Sequence, residues 1–267
     1  MRILIRTSKI ATWARRLGSF VLPLMVLSIL MHRGQMVATE TFHLILVLSF
    51  GLASLAFLLG LIAVVELWFS GDKGWSRALT GFFLGGICLS PLLFAAIEWR
   101  AYPMVFEVST NPELFVQLHT PSGDLAPVPE LEQIAIDMAF PNATTRDYQI
   151  DAVALYGIVE TLVNERQWDI VQKKSFMGGI GNVAEISATA MTVFGWRDDV
   201  VIRITNHTGT GTLIDMRSAA KLPGQEFGRN GKRIEEFLVA LDEAATEYAR
   251  DNLAIEPPPV PSVQRDG

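Results

Sequence analysis

Arg203, Asp215 and Arg217 combine residue type and spacing in a way that could do chemistry. In two neighbouring runs of alternating residues, Val200, Ile202 and Ile204 share a face with Ile214 and Met216, and the charged trio takes the opposite face. Two guanidiniums around one carboxylate on a rigid sheet could clamp a carboxylate or phosphate headgroup, because guanidinium pairs such anions bidentately. The same trio also suits an ordinary cross-strand ion pair on a solvated face. Asp198 and Asp199 are adjacent, so along a strand their side chains would diverge, whereas acid–base work needs convergence. They read as a turn ahead of a strand.

Other chemical signals are thin. Gly178, Gly179 and Gly181 lack the spacing, the Lys and the following helix of a phosphate loop, and read as a turn. His32, His43, His119 and His207 are scattered without metal-ligand spacing, so neither metal nor cofactor is expected. His207 reads as a loop residue. Cys88, the only cysteine, sits in an apolar stretch as a small helix residue, and one cysteine builds no disulfide within the chain. No Gly-x-Ser-x-Gly elbow occurs.

The elements that must position the charged trio form an α+β domain over residues 147–252, reached through a Pro-, Asn- and Thr-rich connector, 98–146, with one short helix near Pro129 to Met138. Asp151 looks like an N-cap, and Ala152, Leu155, Tyr156, Val159, Leu162 and Val163 follow at helical spacing. Four strand-like runs come next: Trp168 to Lys173, Val183 to Phe194, Asp199 to Thr205 and Thr212 to Ser218. A closing helix from about Lys232 to Arg250 carries Ile234, Phe237, Leu238, Leu241, Ala245 and Tyr248 on one face. The pattern predicts a two-layer domain, a four-stranded antiparallel sheet with two covering helices. Residues 253–267, rich in proline, are too poor in apolar side chains to pack and read as a disordered tail.

Charge and hydropathy break near Glu98. Residues 1–97 carry 8 of the 22 Lys and Arg but only 3 of the 28 Asp and Glu, a net of +5; the remainder nets −11. An acidic domain repels phosphate backbones, which argues against nucleic-acid binding. The first 97 residues hold three apolar stretches, at about 17–33, 43–67 and 79–97, read as transmembrane helices. The first is short and contains Pro23, but no small-x-small cleavage site follows it, so it reads as uncleaved. Arg2, Arg6, Lys9, Arg15 and Arg16 precede it and favour a cytoplasmic N-terminus, as Lys73 and Arg77 favour a cytoplasmic second loop. Three crossings then place the C-terminal domain in the periplasm. Glu66 falls at the cytoplasmic edge of the second span, where a carboxylate reaches for headgroups. Gly81 and Gly85 form a small-xxx-small pair for close helix packing.

The soluble half resembles the bacterial family catalogued as domain of unknown function 1499. The resemblance rests on Phe106-Glu-Val-Ser-Thr-Asn-Pro112, Trp168-Asp-Ile-Val171, Phe194-Gly-Trp-Arg-Asp-Asp-Val-Val-Ile-Arg-Ile204, Ile214-Asp-Met-Arg-Ser218 and Gly228-Arg-Asn-Gly-Lys-Arg-Ile234. The three-helix preface with His32-Arg33-Gly34 is also similar to members of that family. Ala139 to Thr145 and the Gln225-Glu226 pair depart from the pattern. The resemblance implies architecture and membrane placement, carries no activity, and marks Asp199, Arg203, Asp215, Arg217, Asn230 and Arg233 as motif positions. Asn230 also suits the N-cap region of the last helix.

Placement is specified and catalysis is not. The expectation is therefore a multi-pass protein of the bacterial inner (cytoplasmic) membrane, of uncharacterised role and more suited to binding than to catalysis. Its partners would be the lipid bilayer and an envelope component or protein bound by the periplasmic domain. The alternative is an envelope hydrolase or transferase using Asp199 or Asp215 with Arg203.

Overall fold

The computed structural model describes residues 6–103, 105–111, 130–176, 182–207, 211–221 and 226–255. The chain divides into two compact units: one of residues 1–101 with Met191–Trp196, the other of Tyr102–Ala190 with Arg197–Gly267. The expected proline-rich tail beyond Ile255, the turn at Gly178, Gly179 and Gly181, and His119 lie outside the described residues.

The first unit contains three helices long and apolar enough to cross a membrane: α1 (Lys9–Arg33), α2 (Thr39–Ser70) and α3 (Trp75–Ala101). All three outrun the apolar stretches read from hydropathy, because polar caps rather than hydropathy end a helix. Ser8 caps α1 by accepting from the Ala11 amide at 3.2 Å, and Gly71 ends α2 in the left-handed region at φ 68°. Glu66 accepts from the Ser8 hydroxyl at 3.1 Å, so the carboxylate expected among headgroups instead ties α2 to the start of α1. Large apolar side chains such as Leu44, Val47 and Phe83 point outward, while Ala, Gly and Ser fill the seams. A Cβ on Gly81 would lie 2.4 Å from the Ala14 carbonyl carbon, and one on Gly60 would lie 2.6 Å from the Phe82 amide nitrogen. Backbones touch here, as small-residue seams in lipid allow. Cys88 is buried in the same seam.

Residues Met191–Trp196 complete this unit. His32 stacks on Phe42 with ring centroids 4.1 Å apart, and its Nδ1 lies 2.7 Å from the Phe194 carbonyl, which accepts the proton. Arg33 donates to the Thr192 and Val193 carbonyls at 2.9 and 3.1 Å. Trp196 donates its indole N–H to His43 Nε2 at 3.3 Å. Gly195, at φ 87°, allows this closeness, since a Cβ there would sit 2.9 Å from His32 Nδ1 and the Arg33 amide.

The second unit is a six-stranded antiparallel sheet with helices, two strands more than the expected four. The strands are β1 (Glu107–Ser109), β2 (Arg146–Tyr148), β3 (Asp169–Lys174), β4 (Val183–Met191), β5 (Arg197–His207) and β6 (Gly211–Ala220). Their order is β1-β6-β5-β4-β3, with β2 also pairing β6. Both added strands come from the expected connector. Each is three residues long and pairs only at the free edge of β6, too short to show an alternation. The helices are α4 (Glu130–Ala139), α5 (Ala152–Glu165) and α6 (Arg229–Ile255), so the core has three helical contributors rather than two. Asp151 caps α5 by accepting from the Val153 and Ala154 amides at 2.9 and 3.2 Å.

One sheet face is apolar. Ala184, Ile186, Ala188, Ala190, Val200, Ile202, Ile204, Ile214 and Met216 meet Leu155, Val159 and Val163 of α5 and Ile234, Phe237, Leu238 and Leu241 of α6. Burying one such large side chain is worth about 1.5–3 kcal/mol. Ile136 of α4 and Phe140 join the same core, and Trp168 stacks on Phe237 at 5.5 Å.

Candidate functional site

The β5–β6 register pairs Arg203 with Asp215 and Val201 with Arg217. Arg203, Asp215 and Arg217 therefore share the face turned away from the helices, as the alternation requires. That face is not a solvated stripe: Asp215 is 3% and Arg217 5% exposed. Each member of the trio has a partner that the sequence reading did not include. Arg217 pairs with Glu107 of β1. Arg203 reaches Glu185 of β4 at 3.4 Å, and Lys174 of β3 reaches the other oxygen of the same carboxylate at 3.2 Å. Asp215 accepts from the hydroxyls of Thr145 and Thr110 at 2.6 and 3.3 Å.

Asp198 and Asp199 lie inside β5, not in a turn before it, and their side chains diverge. Asp199 stands on the polar face with Thr189 at 3.5 Å and Lys221 at 2.9 Å. Asp198 points to the helix side. The polar face is thus a lattice of charged and hydroxyl side chains across β3, β4, β5, β6 and β1. Glu185, Ser187, Thr189 and Asp199 are each buried. Among the described residues, four of its polar atoms, Gln172 Oε1, Ser187 Oγ, Asp199 Oδ2 and Arg203 Nε, have no hydrogen-bond partner.

Asn230 and Arg233 do not join that lattice; they build a second network where α6 starts against the other face. Asp198, 1% exposed, takes Arg233 at 2.7 Å and Arg229 at 3.5 Å. Arg233 also donates to the Ser218 hydroxyl at 2.8 Å and to Asn230 Oδ1 at 2.7 Å. Asn230 donates its side-chain amide to the Phe106 carbonyl at 3.1 Å, and its backbone amide to Glu226 at 2.6 Å. Glu226 therefore does the capping work at this helix start, and Asn230 is the brace between α6 and β1. Burial pushes the Glu226 carboxyl above its ordinary range, against the downward pull of the Asn230 amide and Arg229. The glycines of the Gly228-to-Ile234 motif have a steric reason. A Cβ on Gly228 would enter the Tyr102 ring at 2.5 Å, and one on Gly231 would enter Phe140 at 2.4 Å.

The six motif residues thus divide between two faces of one sheet. Glu107, Gln172, Glu185, Ser187 and Thr189 of the first site, and Asp198, Ser218 and Glu226 of the second, were not among the candidates. Parity carried the signal: Glu185, Ser187 and Thr189 alternate with Ala184, Ile186 and Ala188, and Asp198 shares parity with Val200 and Ile202. Among the described residues no group of three His, Cys, Asp or Glu side chains gathers as a metal site would require. His207 ends β5, and His32 and His43 belong to the helical unit.

Neither a curated protein nor a solved structure matches the chain. Residues 127–241, which contain most of both networks, match the model of the family described as protein of unknown function (DUF1499).

Proposed function

We propose that the protein is a non-enzymatic, membrane-anchored binding protein of the bacterial inner membrane, its α+β domain facing the periplasm and binding an envelope component through the polar sheet face. The observation that carries the binding role is the set of buried polar side chains on that face, four of whose atoms lack a partner among the described residues. A sheet face given over to polar side chains forgoes apolar burial, which a purely structural layer would use.

The catalytic alternative draws on Asp199 or Asp215 with Arg203. Asp215 lies directly opposite Arg203, four residues along β5 from Asp199. The two carboxylates thus stand about 13 Å apart at about 3.3 Å per strand residue and would act singly with the arginine, not as a pair sharing one reacting centre. The basic residues flanking α1 support a cytoplasmic N-terminus. The bonds from His32 and Arg33 to residues 192–194 support three full crossings. Two traverses separate the end of α1 from Ala101, so both lie on one side.

The test is topology. Alkaline-phosphatase and fluorescent-protein fusions at the full-length C-terminus are expected to give phosphatase activity without fluorescence. Fluorescence without phosphatase overturns the periplasmic placement.

A further inference from the structure

We infer that the outer side of α5 and α6 is a docking groove for a basic helix of a partner protein, with Gly157 on its floor and Glu165, Glu243 and Glu247 along its rim. This surface is separate from the polar sheet face, since the inner sides of the same two helices cover the apolar face of the sheet.

The groove has a volume of about 710 Å³. Its floor is built of Ala154, Gly157, Ala240 and Ala244, with Ile158 among them. Ile158, Ala240 and Ala244 also pack against the domain core, which holds the floor in place. Ala154 to Glu165 spans about 16 Å at about 1.5 Å per residue, the length of three helical turns. Small side chains on the floor let the ridge of an incoming helix approach closely.

Gly157 has no steric reason among the described residues. It sits in the middle of α5, where glycine weakens a helix relative to alanine. A Cβ there would meet nothing within 4 Å, and its backbone is not left-handed. By contrast, Gly60, Gly81, Gly228 and Gly231 each have a neighbour that a Cβ would strike. A close approach from outside the chain supplies the missing reason.

Charge names the occupant. Three carboxylates line the groove, while the neighbouring cations Arg166 and Arg250 lie outside its lining. None of the three is in an ion pair among the described residues. Glu243 and Glu247 stand one turn apart, a destabilising like-charge pair that an incoming Lys or Arg relieves. The chain does not supply that cation itself. Beyond residue 101, its segments outside the described residues carry four acidic residues, Glu113, Asp124, Glu256 and Asp266, against one basic, Arg265. A second copy paired face to face would set the same carboxylates against each other. The occupant is therefore a Lys- or Arg-bearing helix of another protein.

The experiment titrates full-length protein in a neutral detergent with a dye-labelled peptide of about 18 residues, long enough to hold a helix. The peptide carries Ala on one face and Lys on the other, and fluorescence anisotropy reads its binding. The same peptide with Glu in place of Lys is the control. The Lys peptide is expected to bind, and to bind about tenfold more weakly to the double variant Glu243→Lys with Glu247→Lys. Gly157→Phe fills the groove and should abolish binding without lowering the melting temperature, since its side chain projects into open space. Gly157→Ala should raise the melting temperature of the free protein by about 2–4 °C. Lys-peptide binding weakened by both the charge reversal and Gly157→Phe supports the inference. Binding indifferent to both, equal binding of the Glu peptide, or no binding overturns it. If Gly157→Phe melts earlier than wild type, the charge-reversed variant decides alone. Sedimentation of the free protein tests the other occupant: a dimer lost in Gly157→Phe makes it a second copy and overturns the basic partner. Gly157→Ala melting at or below wild type assigns the glycine to the fold and overturns the close approach. The fusion assay judges membrane placement independently.

Discussion

Asp198→Ala should unfold the sheet domain more readily than any other single carboxylate removal within its two networks. The carboxylate is 1% exposed and takes two guanidiniums, Arg233 at 2.7 Å and Arg229 at 3.5 Å. Breaking a buried pair from one side strands the other charge, at a cost of about 3–5 kcal/mol. The Arg229 side chain is 28% exposed and can turn to water, whereas Arg233, at 13%, keeps among the described residues only the Ser218 and Asn230 oxygens. The lower end, about 3 kcal/mol, is therefore expected. For a domain of this size that lowers the melting temperature by about 6–12 °C. The assay is hydrogen exchange of β6 and α6 amides in the full chain, with the Trp168–Phe237 stack as an optical check on the same unit. Raising the salt to about 0.5 M should leave the loss intact, because screening acts weakly on buried pairs. The double variant Asp198→Ala with Arg233→Met should lose less than the sum of the two single changes. A loss below about 1 kcal/mol, or strict additivity, would refute the reasoning that the pair anchors α6 to β5.

Two further outcomes follow from the geometry. The folded state holds the Glu226 carboxyl above its ordinary value of 4.5, so that group's contribution is complete below that value and is lost as pH rises through the higher folded one. Glu226→Gln keeps an oxygen for the Asn230 amide and should raise stability at neutral pH while flattening its dependence above about 4.5, read by thermal melts across pH. Gly81→Ala places a methyl 2.4 Å from the Ala14 carbonyl carbon and should loosen α1 from α3. Faster cleavage of the helical unit by protease in detergent checks it, and wild-type resistance would count against the close backbone contact.

How much of this was legible depends on the length of each pattern. β5 and β6 run to eleven and ten residues. That is long enough for period-two alternation to fix which side chains of a strand share a face, and any antiparallel register whose paired residue numbers sum to an even number, as the observed pairing of Arg203 with Asp215 does, keeps the charged trio together. β1 and β2, with three residues each, hold no period, so the sheet looked two strands narrower than it is. The candidate site was legible as a set of residue types but not as two sites. Reading Asp198 and Asp199 as a turn hid the parity that sends Asp198 toward α6. Glu107 lay in a segment taken for connector, so the partner of Arg217 stayed out of view. Burial of the polar face was invisible for a further reason: alternation tells which way a side chain points, and nothing about whether water reaches it.

The six residues from Met191 to Trp196 make the helical unit discontinuous along the chain. Phe194 and Trp196 pack there with Phe42, Leu46 and Val21, and Gly195 has no room for a side chain. No single cut can therefore separate anchor from domain: a fragment starting at Tyr102 carries away a piece of the bundle's own packing and bares two aromatic rings. During synthesis the three helices emerge first, and the bundle is complete only after β4 has been made. The helical unit is thus assembled from two stretches of sequence that lie about ninety residues apart along the chain.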